Sequence, residues 1–206
     1  VSPRSDVIHT KMNDLMHKYT IVGGMPAVVN EFIDSKQLNK VLQLQRDIVN
    51  GYRDDMIKYA SSSNKSQIRE CFDSIPKQLA KENKKFQYSL VKKKGTAAMF
   101  SGSLQWIEDA GIIRRCYNLI ITELPLDGNS DESVFKVYMS DIGLFVSMLE
   151  DGTQIDILQG SLLGYKGAIY ENLVADFLIK AGRNLYFYRK DSGLEVDFVI
   201  RLNGEC

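Results

Sequence analysis

The chain reads as α+β and mainly helical. Apolar residues recur at three- and four-residue spacings through most of the first 110 positions, the mark of amphipathic helices. Two strand-like runs then flank a turn-rich loop, and a second pair follows one more helix near the carboxy terminus. At 206 residues, 44% hydrophobic and 25% charged, the chain has ordinary globular composition and room for one or two domains.

Residues 1–60 are expected to be helical. Ile8, Met12, Leu15, Met16 and Tyr19 make one stripe within 7–19, and Gly23-Gly24 ends it. Pro26 suits the first turn of a short helix over 27–33. Gly23-Gly24-Met25-Pro26 reads as a helix-to-helix turn, because a phosphate loop needs a Gly-Lys-Ser/Thr that is missing here. A long helix over 38–59 buries Val41, Leu44, Ile48, Tyr52, Met56 and Tyr59, with Asp54 and Asp55 on a solvated edge.

Ser61-Ser62-Ser63-Asn64 is a polar break and the expected linker. Ser66 is placed to cap a helix over 67–80 with Ile68, Phe72, Ile75 and Leu79 inside, and Pro76 is expected to kink or shorten it. A short helix over 86–91 and a longer one over 96–110 follow. The longer one buries Ala98, Leu104, Ile107 and Trp106, and Gly111 ends it. Strands over 112–121 and 134–140 surround the loop 125–133. Three helices and a hairpin are the order of a winged helix-turn-helix.

That order raises nucleic acid as a partner. Residues 81–95 hold Lys81, Lys84, Lys85, Lys92, Lys93 and Lys94 against Glu82, and Arg114 and Arg115 open the first wing strand. Lys84, Lys85, Lys92, Lys93, Lys94, Arg114 and Arg115 are the candidate phosphate contacts. The helix over 96–110 has Ser101, Ser103 and Gln105 but no arginine or lysine, so base-reading groups are few. A protein-contact or spacer role is the favoured reading of this unit. Formal net charge is zero, so no global field draws the chain to nucleic acid or membrane.

Asp141 is expected to cap a helix over 142–149, with 150–163 as a loop. Ile169, Leu173, Phe177 and Leu178 then form a helical stripe ended by Gly182, and Glu171 lies off it. Strands over 185–189 and 194–200 are joined by Lys190-Asp191-Ser192-Gly193. Strict alternation places Glu195, Asp197 and Val199 on one face of the second strand and Val196, Phe198 and Ile200 on the other. Glu195 and Asp197, with Glu171 on the helix, suit either a divalent cation or a solvated hairpin edge.

The segment Gly-x-x-Tyr170-Glu171-Asn172-x-Val174-Ala175, followed by Leu185-Tyr186-Phe187-Tyr188-Arg189 and Glu195-Val196-Asp197-Phe198-Val199-Ile200, resembles the carboxy-terminal domain of a family of predicted prokaryotic AAA-type ATPases. That domain resembles the PD-(D/E)XK nuclease fold. Gly23-Gly24-Met25-Pro26, Tyr52 with Asp55 and Met56, and Asp141-Ile142-Gly143-Leu144 are similar to other family motifs. The resemblance implies a helical lid or connector over 1–60 after an ATPase core, a winged-helix-like unit over 61–150 and an incomplete nuclease-like domain over 151–206. It implies Glu171 as the helix acid and Asp197 as the strand acid of a catalytic metal site. The Glu-x-Lys that should follow is absent, since the sequence stops at Asn203-Gly204-Glu205-Cys206.

The expectation is therefore a non-catalytic fragment acting in nucleic-acid or protein contact, with ATP and Mg²⁺ implied for the intact protein. The alternatives are part of an ATP-dependent, Mg²⁺-dependent nuclease, or an interaction module with an inactive nuclease-like fold. A strand left with a free edge is expected to self-associate through residues 194–202. Val1-Ser2-Pro3-Arg4 has no signal-peptide pattern, no run approaches a membrane span, and Cys71, Cys116 and Cys206 read as the reduced thiols of a cytoplasmic protein.

Overall fold

The structure, a computed structural model, describes residues 6–59, 65–81, 84–162, 164–190 and 193–202. The expected linker at 61–64, Glu82, Asp191, Ser192, Cys206, the other terminal residues and the Tyr59 side chain lie outside them. The fold is α+β and mainly helical. Its helices are α1 (Asp6–Val22), α2 (Pro26–Ser35), α3 (Leu38–Tyr59), α4 (Lys65–Leu79), α5 (Tyr88–Val91), α6 (Ala97–Asp109), α7 (Ile142–Ser147), α8 (Thr153–Gln159) and α9 (Lys166–Lys180). Its strands are β1 (Ile113–Leu119), β2 (Ser130–Met139), β3 (Tyr186–Arg189) and β4 (Glu195–Val199).

The strands form one mixed sheet in the order β2-β1-β3-β4. β1 pairs antiparallel with β2 and parallel with β3, and β3 pairs antiparallel with β4. The hairpin after α6 is therefore built into a larger sheet, its second edge taken by β3. One apolar core runs from Ile21 through Phe72, Ile107, Phe145 and Leu173 to Phe187, joining the helical segments to one face of the sheet. The other face carries a smaller cluster of Leu119, Leu126, Tyr186 and Val199.

Several local expectations are corrected. Ile8, Met12 and Leu15 are about half exposed, and only Thr20, Ile21 and Val22 of α1 are buried. Ser66 lies inside the first turn of α4, and α4 passes through Pro76 to end at Leu79. Ala98 is exposed. The loop 150–163 contains α8, between left-handed Gly152 and Gly160. β2 starts at Ser130, ahead of the expected 134. Its register with β1 skips from Phe135 to Asp131, and the Asp131 carboxylate accepts from Ser133 N–H at 2.9 Å to close the irregularity.

The motifs at 23–26 and 141–144 meet. Asp141 caps α7 by accepting from Leu144 N–H at 3.0 Å, as expected, and its other oxygen accepts from Gly24 N–H at 2.7 Å. Gln45 of α3 is fully buried and donates to the carbonyls of Ile21 at 2.8 Å and Val22 at 3.1 Å. The packing leaves no space for a side chain. A Cβ on Gly143 would lie 2.6 Å from both Gln45 Nε2 and the Val22 carbonyl oxygen. One on Gly23, held at φ 70°, would lie 2.3 Å from Asp141 Oδ1.

Gly143→Ala is therefore expected to cost about 1–3 kcal/mol through overpacking. Gly51, inside α3 with open space around it, gives the opposite sign: Gly51→Ala should stabilise by roughly 0.5–1 kcal/mol. Urea unfolding of both variants checks the pair. Equal effects would show that the 23–143 contact is not tight.

Candidate functional site: a carboxylate cluster around a buried lysine

Lys136 is in the middle of β2, 1% exposed, in the segment Phe135-Lys136-Val137-Tyr138. A lone ammonium cannot stay charged in such a place without partners. It has three. Its Nζ is 2.6 Å from Glu195 Oε1, 3.1 Å from Asp197 Oδ1 and 3.5 Å from Glu171 Oε2. It also stands 5.0 Å from the centre of the Phe187 ring. Burial alone would push the ammonium's pKa down. The hydrogen bond to Glu195 and the charges of Glu171 and Glu195 outweigh it and hold the pKa above the ordinary lysine value.

Glu171 is positioned by α9, whose next residue docks the helix. Asn172 is fully buried, accepts from Met139 N–H at 2.8 Å and donates to Met139 carbonyl at 3.0 Å. The Glu171 carboxylate then accepts from Tyr138 OH at 2.9 Å and pairs with Lys84. Arg189 of β3 reaches Glu195 Oε2 at 3.4 Å. Three cations therefore meet three carboxylates. Tyr138 is held far above the ordinary tyrosine pKa by burial and by Glu171, so it stays a hydrogen-bond donor.

A β-bulge aims β4. Tyr186 faces Val199 and Tyr188 faces Val196, so two residues, Asp197 and Phe198, stand opposite Phe187. Strict alternation is broken, which corrects the expected faces. Phe198 packs on Tyr138 with ring centres 5.6 Å apart, on the same side as the Lys136 cluster, whereas Val199 joins Tyr186 and Leu119 on the other side. The Glu195 and Asp197 carboxylates are partly exposed, but both are engaged with Lys136 and do not form a free hairpin edge.

The two acids singled out by sequence, Glu171 and Asp197, are thus brought together. Their oxygens converge on Lys136 Nζ, so a divalent ion would have to displace an ammonium to reach all three acids. Among the described residues no three His, Cys, Asp or Glu side chains converge on a point that would hold a metal ion. Mg²⁺ takes hard oxygens in near-octahedral geometry, and here the carboxylate oxygens are engaged with Lys136, Lys84, Tyr138 and Arg189.

The basic residues singled out by sequence are dispersed. Lys84 is spent on Glu171, and Arg115 on Glu108 at 2.5 Å. Lys92 pairs with Glu70 at 3.3 Å, Lys85 is half-buried, and Lys93 and Lys94 are exposed. Arg114 is exposed and donates to the Glu108 carbonyl at 3.1 Å.

A second network joins α1 to α9. Asp176 is fully buried and accepts from Tyr19 OH at 2.5 Å, and Lys180 lies 2.9 Å from Asp176 Oδ1, 2.7 Å from Tyr19 OH and 3.7 Å from Asp141 Oδ2. Burial raises the Asp176 pKa, and burial with the bond to Asp176 raises that of Tyr19 to about 12. Composition and periodicity had not pointed to this network or to Lys136. Their available signals were a charged residue inside an apolar strand and the i, i+4 pair Asp176/Lys180.

Replacing Lys136 tests the cluster. Lys136→Met leaves three carboxylates with Lys84 and Arg189 and should destabilise by roughly 3 kcal/mol at pH 7, the low end for a broken buried pair because Asp197 is half solvated. The folded pKa of Lys136 is raised, so its contribution is fully present below its unfolded value near about 10.4 and fades as pH rises through the folded one. The gap between wild type and Lys136→Met should stay constant from about pH 7 to 9 and narrow above about 10.5, as followed by urea unfolding.

Residues 13–154 match a domain of unknown function, DUF8612. Residues 166–206 match a second domain of unknown function, DUF4143. No curated protein and no solved structure matches the chain. The first match spans more than half of the sequence and takes in α2 through α7, the Gly23–Asp141 contact and Lys136, so the chain belongs to the DUF8612 family, with a DUF4143 segment bearing Glu171 and Asp197.

Proposed function

We propose that this chain is a non-catalytic contact region of an ATPase-linked protein, in which a nuclease-like carboxylate set is neutralised from within. One observation carries the reading: Lys136 Nζ lies within bonding distance of Glu195, Asp197 and Glu171. An ammonium fixed among these acids supplies positive charge where a divalent ion would otherwise sit, but offers no coordination position for water or phosphate. The ATPase link draws on the resemblance of the 166–206 segment and of the motifs at 23–26 and 141–144. Two acids and a lysine at one place also favour a second reading, part of an ATP-dependent, Mg²⁺-dependent nuclease.

Calorimetric titration of the full-length protein with Mg²⁺ and Mn²⁺, beside a plasmid-nicking assay, separates the two. The contact reading expects no binding event at millimolar metal and no nicking. It also expects Lys136→Gln to gain a Mn²⁺-binding event that the wild type lacks. A wild-type metal event lost in Asp197→Ala, together with metal-dependent nicking, would establish the nuclease reading in its place.

A further inference from the structure

Two clefts adjoin beside the end of α9, away from the Lys136 cluster. One, of about 400 Å³, is lined by Arg114, Arg115, Tyr117 and Arg183 among others. The second, of about 330 Å³, is lined by Leu124, Pro125 and Arg201 and shares Asp127, Arg183, Asn184 and Tyr186 with the first. Arg183 therefore stands where the two clefts meet.

The charge in these clefts is uneven. The whole chain balances 26 acids against 26 lysines and arginines. Arg114, Arg183 and Arg201 have no carboxylate partner among the described residues. Arg114 bonds only the Glu108 carbonyl at 3.1 Å, and Arg183 only the Arg201 carbonyl at 3.4 Å. The two linings together hold four arginines, Arg114, Arg115, Arg183 and Arg201, against two acids, Glu108 and Asp127. Glu108 holds Arg115 at 2.5 Å, and Asp127 accepts from Tyr186 OH at 3.2 Å. All three arginines are solvent-exposed and line the clefts.

The backbone holds Arg183 in place. Gly182, at φ 69°, turns the chain out of α9 while Gly182 N–H bonds the Ile179 carbonyl at 2.9 Å and Arg183 N–H bonds the Leu178 carbonyl at 2.9 Å. Arg114 is the second residue of β1, and Arg201 lies two residues past the end of β4. Guanidinium forks without carboxylate partners, set along a concave surface, match the oxygens of a phosphate group.

We infer that these two clefts bind phosphate groups, with Arg114, Arg183 and Arg201 as the anchors. The inference goes beyond the contact reading and does not depend on the state of the Lys136 cluster. The phosphates come either from a nucleic-acid backbone running along both clefts or from a small phosphorylated molecule in one of them.

The test is made in EDTA, so a metal site elsewhere has no part in it. Pyrophosphate and ADP are titrated by calorimetry, and a fluorescent 12-mer single strand by anisotropy, all at low salt and again at 0.2 M. Binding of at least one probe is expected, weakening with salt; for the 12-mer, three phosphate contacts predict a slope of about −2 in log K against log salt. Arg114→Gln/Arg183→Gln should weaken that binding about tenfold or more and flatten the slope by roughly 1 to 2. Lys11→Gln/Lys40→Gln, which removes the same charge elsewhere, should leave it unchanged.

Binding of the 12-mer alone assigns the clefts to a polynucleotide, whereas comparable binding of pyrophosphate or ADP assigns them to a small ligand. No binding of any probe, equal loss in both double variants, or no loss in the arginine variant would overturn the inference. The thermal midpoints of both variants, expected to match wild type because all four side chains are exposed, guard against a folding defect.

Discussion

The Asp141 carboxylate is the constraint on which the packing of the helical segments depends. One oxygen caps α7 through Leu144 N–H and the other takes Gly24 N–H at the α1–α2 turn, so a single side chain fixes the entry of one helix and the junction of two others. Glycine at 23 and 143 is what lets the backbones come this near, and Gln45 reaches in from α3 to satisfy the carbonyls exposed at the end of α1. Lys180, at 3.7 Å, offsets the negative charge left on Asp141. Shift any of these and α1, α3, α7 and α9 lose a common reference point.

The Lys136 cluster follows a different logic. Burying an ammonium carries a desolvation cost that only close, well-bonded carboxylates offset. The sheet supplies them because β4 is bulged opposite Phe187, which turns Asp197 and Phe198 to the same side. Without the extra residue the acid and the ring would point in opposite directions. The acids around Lys136 also take Tyr138, Lys84 and Arg189.

Much of the architecture was legible from residue order. The bounds of α3 and the end of α9 follow from apolar period and terminal residues, and the Asp141 cap from its place before an apolar run. What periodicity cannot register is a partner far along the chain. Ile8, Met12 and Leu15 form a proper stripe, yet no described element covers them. The α8 helix is only seven residues long, too short for a period to establish. Alternation gave the wrong face for Val199 because a bulge costs one residue and leaves no mark in hydrophobicity. Of the carboxylate site, spacing offered Glu171, Glu195 and Asp197, while the lysine that decides its chemistry lies 35 positions before Glu171, on another strand.

The pins on α9 have a mechanical consequence. Glu171 is tied to β2 and Lys84, Asn172 to the Met139 backbone, and Asp176 to Tyr19. From residue 171 to 176 an α-helix turns through about 500°, or roughly 140° net, and rises about 7.5 Å. The ties therefore leave the helix in different directions at different heights, like keys cut around a shaft. Rolling α9 about its axis, or sliding it by a turn, would break several at once. Any displacement imposed on α1 through Tyr19 must be taken up by α9 as a rigid tilt, carrying Glu171 at one end and the Gly182–Arg183 corner at the other.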